Sequence, residues 1–361
     1  MLNDRPLIGQ LLVESNVRLS QQTPKLNLPS PQRIAVFRAL PGLGDFLCVV
    51  PVLRSLRMAF PQAKIVLIGL AHLRDLVHRF RQYVDDLVEF PGYPGLPEQP
   101  TDDCKFAEFL EIVHDRSFDL ILQLHGNGSI TNPLLHQFGA KHLAGYYPSE
   151  HPCPDENYFL PYEESASEVR RALQLLKFLG IPTQGEHLEF PMNREDGRAL
   201  HRIKSIQSVL SRPYVCIHPG ASVPSRRWPP EHFATVADRL ASQGFQIVLT
   251  GSQAEAETTQ AVATAMQFPY VNLTGMTNLG SLAALLSQAR LLVCNDTGVS
   301  HLAAALRISS VVVFSDSDPQ RWAPLDRNRH RIVTGKGSGM VNQAIVQATT
   351  LLQRSKPYLI A

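Results

Sequence analysis

A chain of 361 residues exceeds one ordinary hydrophobic core, so two domains of about 150–180 residues are the first expectation. At 44% hydrophobic and 18% charged it has the composition of a globular protein. Its net charge of +2 gives no footing for nucleic acid and leaves open, at most, peripheral contact with an anionic membrane face.

Residues 1–30 have no signal-peptide core, and no run approaches the roughly 20 apolar residues of a membrane span. Cys48, Cys104, Cys153, Cys216 and Cys294 show no metal-ligand spacing and fit free thiols in a reducing cytosol. The expectation is a cytoplasmic protein with a loosely ordered extension over 1–30. RIAVFRA (33–39) then reads as a strand, 45–60 as a helix behind a glycine turn, 64–70 as a strand and 71–81 as a helix. Beyond a Pro/Gly-rich loop (90–100) come a helix near 103–115, a strand at 118–124 that ends in HGNG, and a strand at 142–147. A helix over 166–180 is closed by Gly180.

Proline and polar residues over 181–196 break the alternation, which places the domain boundary there and predicts domains over 31–182 and 183–340. The second half brings strands at 213–220, 245–251, 270–275 and 310–316, with helices at 230–243, 253–266 and 279–289. LLVCNDTGVSHLAAAL (291–306) passes from a buried strand into a helix. A last helix near 340–354, within the terminal piece 341–361, is free to pack back across the first domain. Two successive βα series predict an α/β protein of two Rossmann-like, doubly wound domains facing a central cleft. Ligands in such folds lie beyond the carboxyl ends of the strands.

The unusual residues cluster at those ends. In RALPGLGDFL (38–47), Gly42 and Gly44 permit close backbone approach, and Asp45 serves as a helix cap or as a carboxylate facing the cleft. Leu47 stands where a dinucleotide fingerprint needs its third glycine. In HPGASVPSRRWPPEHF (218–233), Arg226 and Arg227 are surface arginines or forks for a diphosphate. Glu255, in TGSQAEAE (250–257), complements a helix dipole or binds a ribose.

Asp296, Thr297 and Gly298 form the mouth of a helix, where free N–H groups and the dipole favour phosphate. His301, one turn on, would add a donor from the same face as Thr297, while Asp296 would orient the turn or a sugar hydroxyl. Asp316-Ser317-Asp318 has the form of a DxD metal motif, but it sits in a proline-flanked loop with no Cys/His set to support it, so no metal is expected. His125, in HGNG, is either a wall residue or an acceptor contact.

In this order GLGDFLCVVPVLRSLRMAFPQA, HPGASVPSRRWPPEHF, LTGSQAEAE, LTGMTNLGSLAALLSQARLLVCNDTGVSHLAAAL and SDSDPQRWAPL resemble the ADP-heptose:lipopolysaccharide heptosyltransferases, glycosyltransferase family nine, over roughly residues 33–335. The resemblance implies a GT-B architecture, with the acceptor on the first domain and a nucleoside-diphosphate sugar, ADP-heptose or a relative, on the second. It implies inverting transfer to a glycan or glycolipid hydroxyl, as in lipopolysaccharide or other surface-glycan synthesis, without a metal or other cofactor.

Asp45 then matches the catalytic carboxylate. The implied donor set is Ser222, Arg226, Arg227, Gly251, Glu255, Gly275, Met276, Asp296, Thr297, Gly298 and His301, and the acceptor set is Gly42, Gly44, His125 and Asn127. Two departures stand out. Arg226 occupies a position where the family often has lysine, and 125–140 lacks the basic residue that would meet an anionic acceptor. A nucleotide-sugar epimerase of similar architecture, or a non-catalytic nucleotide-sugar-binding protein, would also place phosphates at the second domain.

Overall fold

The computed structural model describes residues 31–335, 337 and 339–354, so the expectation for 1–30 lies outside the described residues. Two six-stranded parallel sheets carry the chain. The first contains β1 (Arg33–Phe37), β2 (Lys64–Gly69), β3 (Asp86–Glu89), β4 (Leu120–Gln123), β5 (His142–Tyr147) and β6 (Phe159–Pro161), in the order β3-β2-β1-β4-β5-β6. The second contains β7 (Tyr214–His218), β8 (Gln246–Leu249), β9 (Tyr270–Asn272), β10 (Leu291–Asn295), β11 (Ser310–Phe314) and β12 (His330–Thr334), ordered β12-β11-β10-β7-β8-β9.

Counted within each lobe, the two orders are the same doubly wound arrangement, and the order reverses between β1 and β4 and between β7 and β10. The central strands read as unbroken apolar runs because helices cover both faces. LLVCN of β10 and SVVVF of β11 are buried at every position.

The structure adds elements that pattern reading does not anticipate. These include β3, β6 and β12, the helix Thr131–His136 and the helix Arg194–His201. Asn193 caps that last helix reciprocally with Asp196, and the helix packs on Leu279–Leu286 of the second lobe. The terminal helix Gly339–Arg354 does not return across the first lobe. Met340, Val341, Ala344, Ala348, Leu351 and Leu352 enter the apolar cluster of the second sheet, beside the helix Pro230–Ala241. An apolar stripe of this spacing is satisfied by the nearest sheet face.

The crossing segment 181–193 is anchored to the first lobe. Arg54 donates to the carbonyls of Gln184, Gly185 and His187 and pairs with Glu189. Arg79 binds Asp196 through both nitrogens of its fork. The lobes also touch directly, because the helix Leu43–Ala59 packs against the helix Gly298–Ala305. A Cβ added to Gly298 would stand 2.9 Å from Cβ of Leu43, so only glycine admits this approach. One apolar cluster consequently runs through both lobes, from Phe46 and Val49 to Val299 and Leu302. The five cysteines are free, and Cys48, Cys216 and Cys294 are buried.

Candidate active site

β1 ends at Phe37, and the chain turns through Pro41 and Gly42 into the helix Leu43–Ala59. Asp45 is the third residue of that helix. Its carboxylate packs against Gly42 at the helix mouth and is 21% exposed; it is not among the residues lining the cleft of the second lobe, which Gly42 and Leu43 of the same turn reach. A Cβ on Gly42 would lie 2.4 Å from Oδ2, which explains glycine there. Burial pushes the Asp45 carboxyl above its usual range; Arg38 and His301 oppose this, and Glu168 adds to it. A carboxyl raised in this way suits proton acceptance.

Arg38 places Nη2 3.3 Å from Oδ1 of Asp45 and 3.2 Å from Oε2 of Glu168, and donates from Nε to the Asp45 carbonyl and from Nη1 to that of Leu124. Glu168, only 4% exposed, also pairs with Arg171 on its own helix (Glu168–Phe178) and with Arg321 of the second lobe, Nε to Oε1 at 2.7 Å. Burial would raise the Glu168 carboxyl, but Arg38, Arg171 and Arg321 outweigh it and hold it down at about 2. Sequence reading passes over this network. The available hint is Arg38 itself, a charge at the end of an apolar strand, where only a buried partner makes it tolerable.

A cleft of about 550 Å³ lies over the carboxyl ends of the second sheet. Ser222, Arg227, Gly251, Glu255, Thr297 and Gly298 line it from the second lobe, and Gly42 closes it from the first. Glu255 accepts from the Ser252 amide and hydroxyl at 2.7 and 2.8 Å, so dipole complementarity is part of its role. Its other oxygen abuts Gly220, where a Cβ would lie 2.0 Å away. Asn295 ties the phosphate-type turn to the 219–228 loop, donating to the Pro219 carbonyl and accepting from the Trp228 amide. Asp296 is buried, and its Oδ2 has no hydrogen-bond partner; Arg226 Nη1 stands 3.8 Å away.

The two arginines diverge. Arg227 donates to the Ala221 carbonyl and lines the cleft, whereas Arg226 faces Asp296 and a neighbouring hollow of about 440 Å³ with Asp316, Asp318 and Arg321. His301 does not flank the cleft beside Thr297. Its ring is buried against Gly44, with Nδ1 3.7 Å from Cys48 Sγ. Burial lowers its pKa, against the carboxylates of Asp296 and Asp45. Gly275 and Met276 are not among the lining residues, although Thr277 and Asn278 are.

On the first lobe, His125 is buried between Ala39 and Glu98. Its Nδ1 accepts from the Ala39 amide, which leaves the proton of the neutral ring on Nε2, 3.4 Å from Glu98. Burial and Arg38 push it down to about 4. Asn127 spends its Oδ1 on the Ser129 amide and hydroxyl, an Asx turn. Asp318 of the DxD-like triplet caps the next turn through the Gln320 amide, and among the described residues no group of three His, Cys, Asp or Glu could hold a metal. Nor is any described helix long and apolar enough to cross a membrane.

Comparison with known proteins bears on the family and the fold. Residues 107–347 match the profile of glycosyltransferase family 9 (heptosyltransferase). The chain is 27% identical over 307 residues to lipopolysaccharide heptosyltransferase 2 of Escherichia coli (strain K12), covering 81% of this chain and 86% of that one. Among solved structures it is similar to the family 9 glycosyl transferase of Veillonella parvula DSM 2008, with a TM-score of 0.74 and 22% identity over 90% of this chain and 98% of that one. It is also similar to E. coli ADP-heptose lps heptosyltransferase II, with a TM-score of 0.69 and 23% identity over 90% and 100% of the respective chains. The chain belongs to glycosyltransferase family 9, the heptosyltransferases, and is a glycosyltransferase of two Rossmann-like lobes.

Proposed function

We propose that this enzyme transfers heptose from ADP-heptose to a hydroxyl of a lipopolysaccharide-core acceptor, with inversion and without a metal ion. The supporting observation is that the helix carrying Asp45 packs directly on the helix opened by the turn Asp296–Gly298, with Gly298 against Leu43 and Gly44, so carboxylate and turn lie on touching elements of the two lobes. Asp45 takes the proton of the acceptor hydroxyl as it attacks the anomeric carbon from the face opposite the departing diphosphate. Negative charge growing on that diphosphate is met by the Thr297 hydroxyl, by the free N–H groups at Gly298 and by Arg226 and Arg227. One such preorganised donor is worth about 3–4 kcal/mol of barrier.

The unpartnered Oδ2 of Asp296 accepts from a hydroxyl of the transferred sugar, since a buried acceptor left empty is costly. Glu255 faces the ribose of the nucleotide. The enzyme works in the cytoplasm, at most peripherally at the inner membrane face, where glycolipid acceptors are presented.

The test is to incubate the purified chain with ADP-heptose and a heptose-deficient lipopolysaccharide core in a chelating buffer, then read the anomeric configuration of the product by NMR. An inverted heptosyl product with release of ADP is expected. Isomerised donor without transfer would mean an epimerase, and intact donor a binding protein.

A further inference from the structure

Glu168 has more partners than a buried carboxylate needs. Arg171, one turn along the same helix, already pairs with it, yet Arg38 and Arg321 converge on it from the end of β1 and from the other lobe. Arg38 is fully committed as well. Its Nη2 bridges Glu168 and Asp45, while Nε and Nη1 hold two carbonyls, so neither the guanidinium nor Asp45 is free to swing.

We propose that Glu168 is a positioning residue that holds and tunes the Asp45 carboxylate through Arg38, and that Arg321 completes this arrangement only when the two lobes meet. The inference rests on reading Asp45 as the base.

Charge explains the tuning. The ionisable groups facing Asp45 are Arg38 from the end of β1, Glu168 from the first turn of its helix, Cys48 one turn along the helix of Asp45 and His301 from the second lobe. A lone Arg38–Asp45 pair would drain the basicity of the carboxylate. Because Glu168 shares the same guanidinium and repels Asp45, the base keeps its affinity for a proton. Arg321 acts one step further out, because its charge offsets that of Glu168. The residues that form this pair sit 153 positions apart in the chain and on different lobes, so the pair exists only while the lobes are in contact. Arg321 therefore moderates the proton affinity of Asp45 only while the lobes are in contact.

The two outer groups should shift Asp45 in opposite directions. With the full chain, kcat/KM is measured against pH for the wild type, Glu168→Gln, Arg321→Gln and the double variant. In Glu168→Gln the acid limb moves to lower pH, and kcat falls by up to about 100-fold as the base loses its alignment, while the ADP affinity holds. In Arg321→Gln the limb moves to higher pH. The double variant follows Glu168→Gln, because Arg321 acts through Glu168.

Acid limbs that stay in place in both single variants, or that move in the same direction, overturn the proposal. Should Glu168→Gln not fold, Arg321→Gln decides alone, since that residue is partly exposed. Full transfer by Asp45→Asn would instead remove the base itself and the inference with it. Loss of transfer there, combined with unshifted limbs elsewhere, sinks only the role of Glu168.

Discussion

Gly44 of the first lobe lies against His301 of the second, so closely that a Cβ at position 44 would stand 2.6 Å from Cδ2 of the imidazole. The ring is buried, so a methyl group at position 44 would press on it and, through its helix, on the second lobe. Gly44→Ala should therefore wedge the lobes apart, costing about 1–3 kcal/mol of stability and lowering kcat more than tenfold. Small-angle scattering would show a larger radius for the variant. An unchanged radius with full activity would show that the contact is not needed for turnover.

Asp45→Asn should abolish transfer and leave the affinity for ADP near that of the wild type. The amide keeps the shape and the packing against Gly42 but cannot take a proton. Calorimetric titration with ADP beside a turnover assay separates the two properties. Equal loss of both would reduce Asp45 to a structural cap.

The nucleotide cleft predicts a split between adenosine and ADP. Arg227→Ala, in the cleft, and Arg226→Ala, beside the Asp296 turn, should weaken ADP binding by roughly 10–100-fold, the worth of a charged hydrogen bond, and leave adenosine binding unchanged. Glu255→Gln should weaken both ligands, because ribose is common to them. Titrations of the three variants with each ligand read this directly, and adenosine affinity that falls with either arginine contradicts the placement.

Stability should decline on acidification in two steps. His125 and His330 are held down to about 4 by burial first, from an ordinary 6.5, so the unfolded chain gains protons there before the native one does. The stability they confer is complete above pH 6.5 and drains away as pH falls toward 4. Glu168, held at about 2 from a usual 4.5, adds a second loss between those two values. Melting temperature against pH should show both, with the lower step flattened in Glu168→Gln.

Much of the fold was legible because its central strands are buried on both faces. VCI of β7, LLVC of β10 and VVV of β11 announce themselves as apolar runs closed by turn residues. DLVE of β3 and FLP of β6 are short, HRIVT of β12 opens with two polar residues, and all three lie at sheet edges, so pattern reading loses them. Asp45 and the turn at 296–298 were visible for a related reason, as glycines and carboxylates at strand ends have few duties besides turns and ligands.

The pairing of Glu168 with Arg321 had no local signature, because nothing in the spacing of either segment refers to the other. His125 and Asn127 looked available only because their partners, the Ala39 amide with Glu98 and the Ser129 amide with its hydroxyl, were out of view. His301 misled for a geometric reason. Four residues along a helix preserve a face, but they also carry the ring away from the mouth and into the neighbouring lobe.

The apolar cluster running from Phe46 to Leu302 makes the two lobes thermodynamic partners. Neither half can melt without stripping the other of its covering, so heating should yield a single calorimetric peak whose van't Hoff and measured enthalpies agree, where separable domains would give two. A fragment cut within 181–193 would accordingly expose an oily flank and aggregate. Evolutionary exchange of one half for another donor specificity must carry the matching seam along with it.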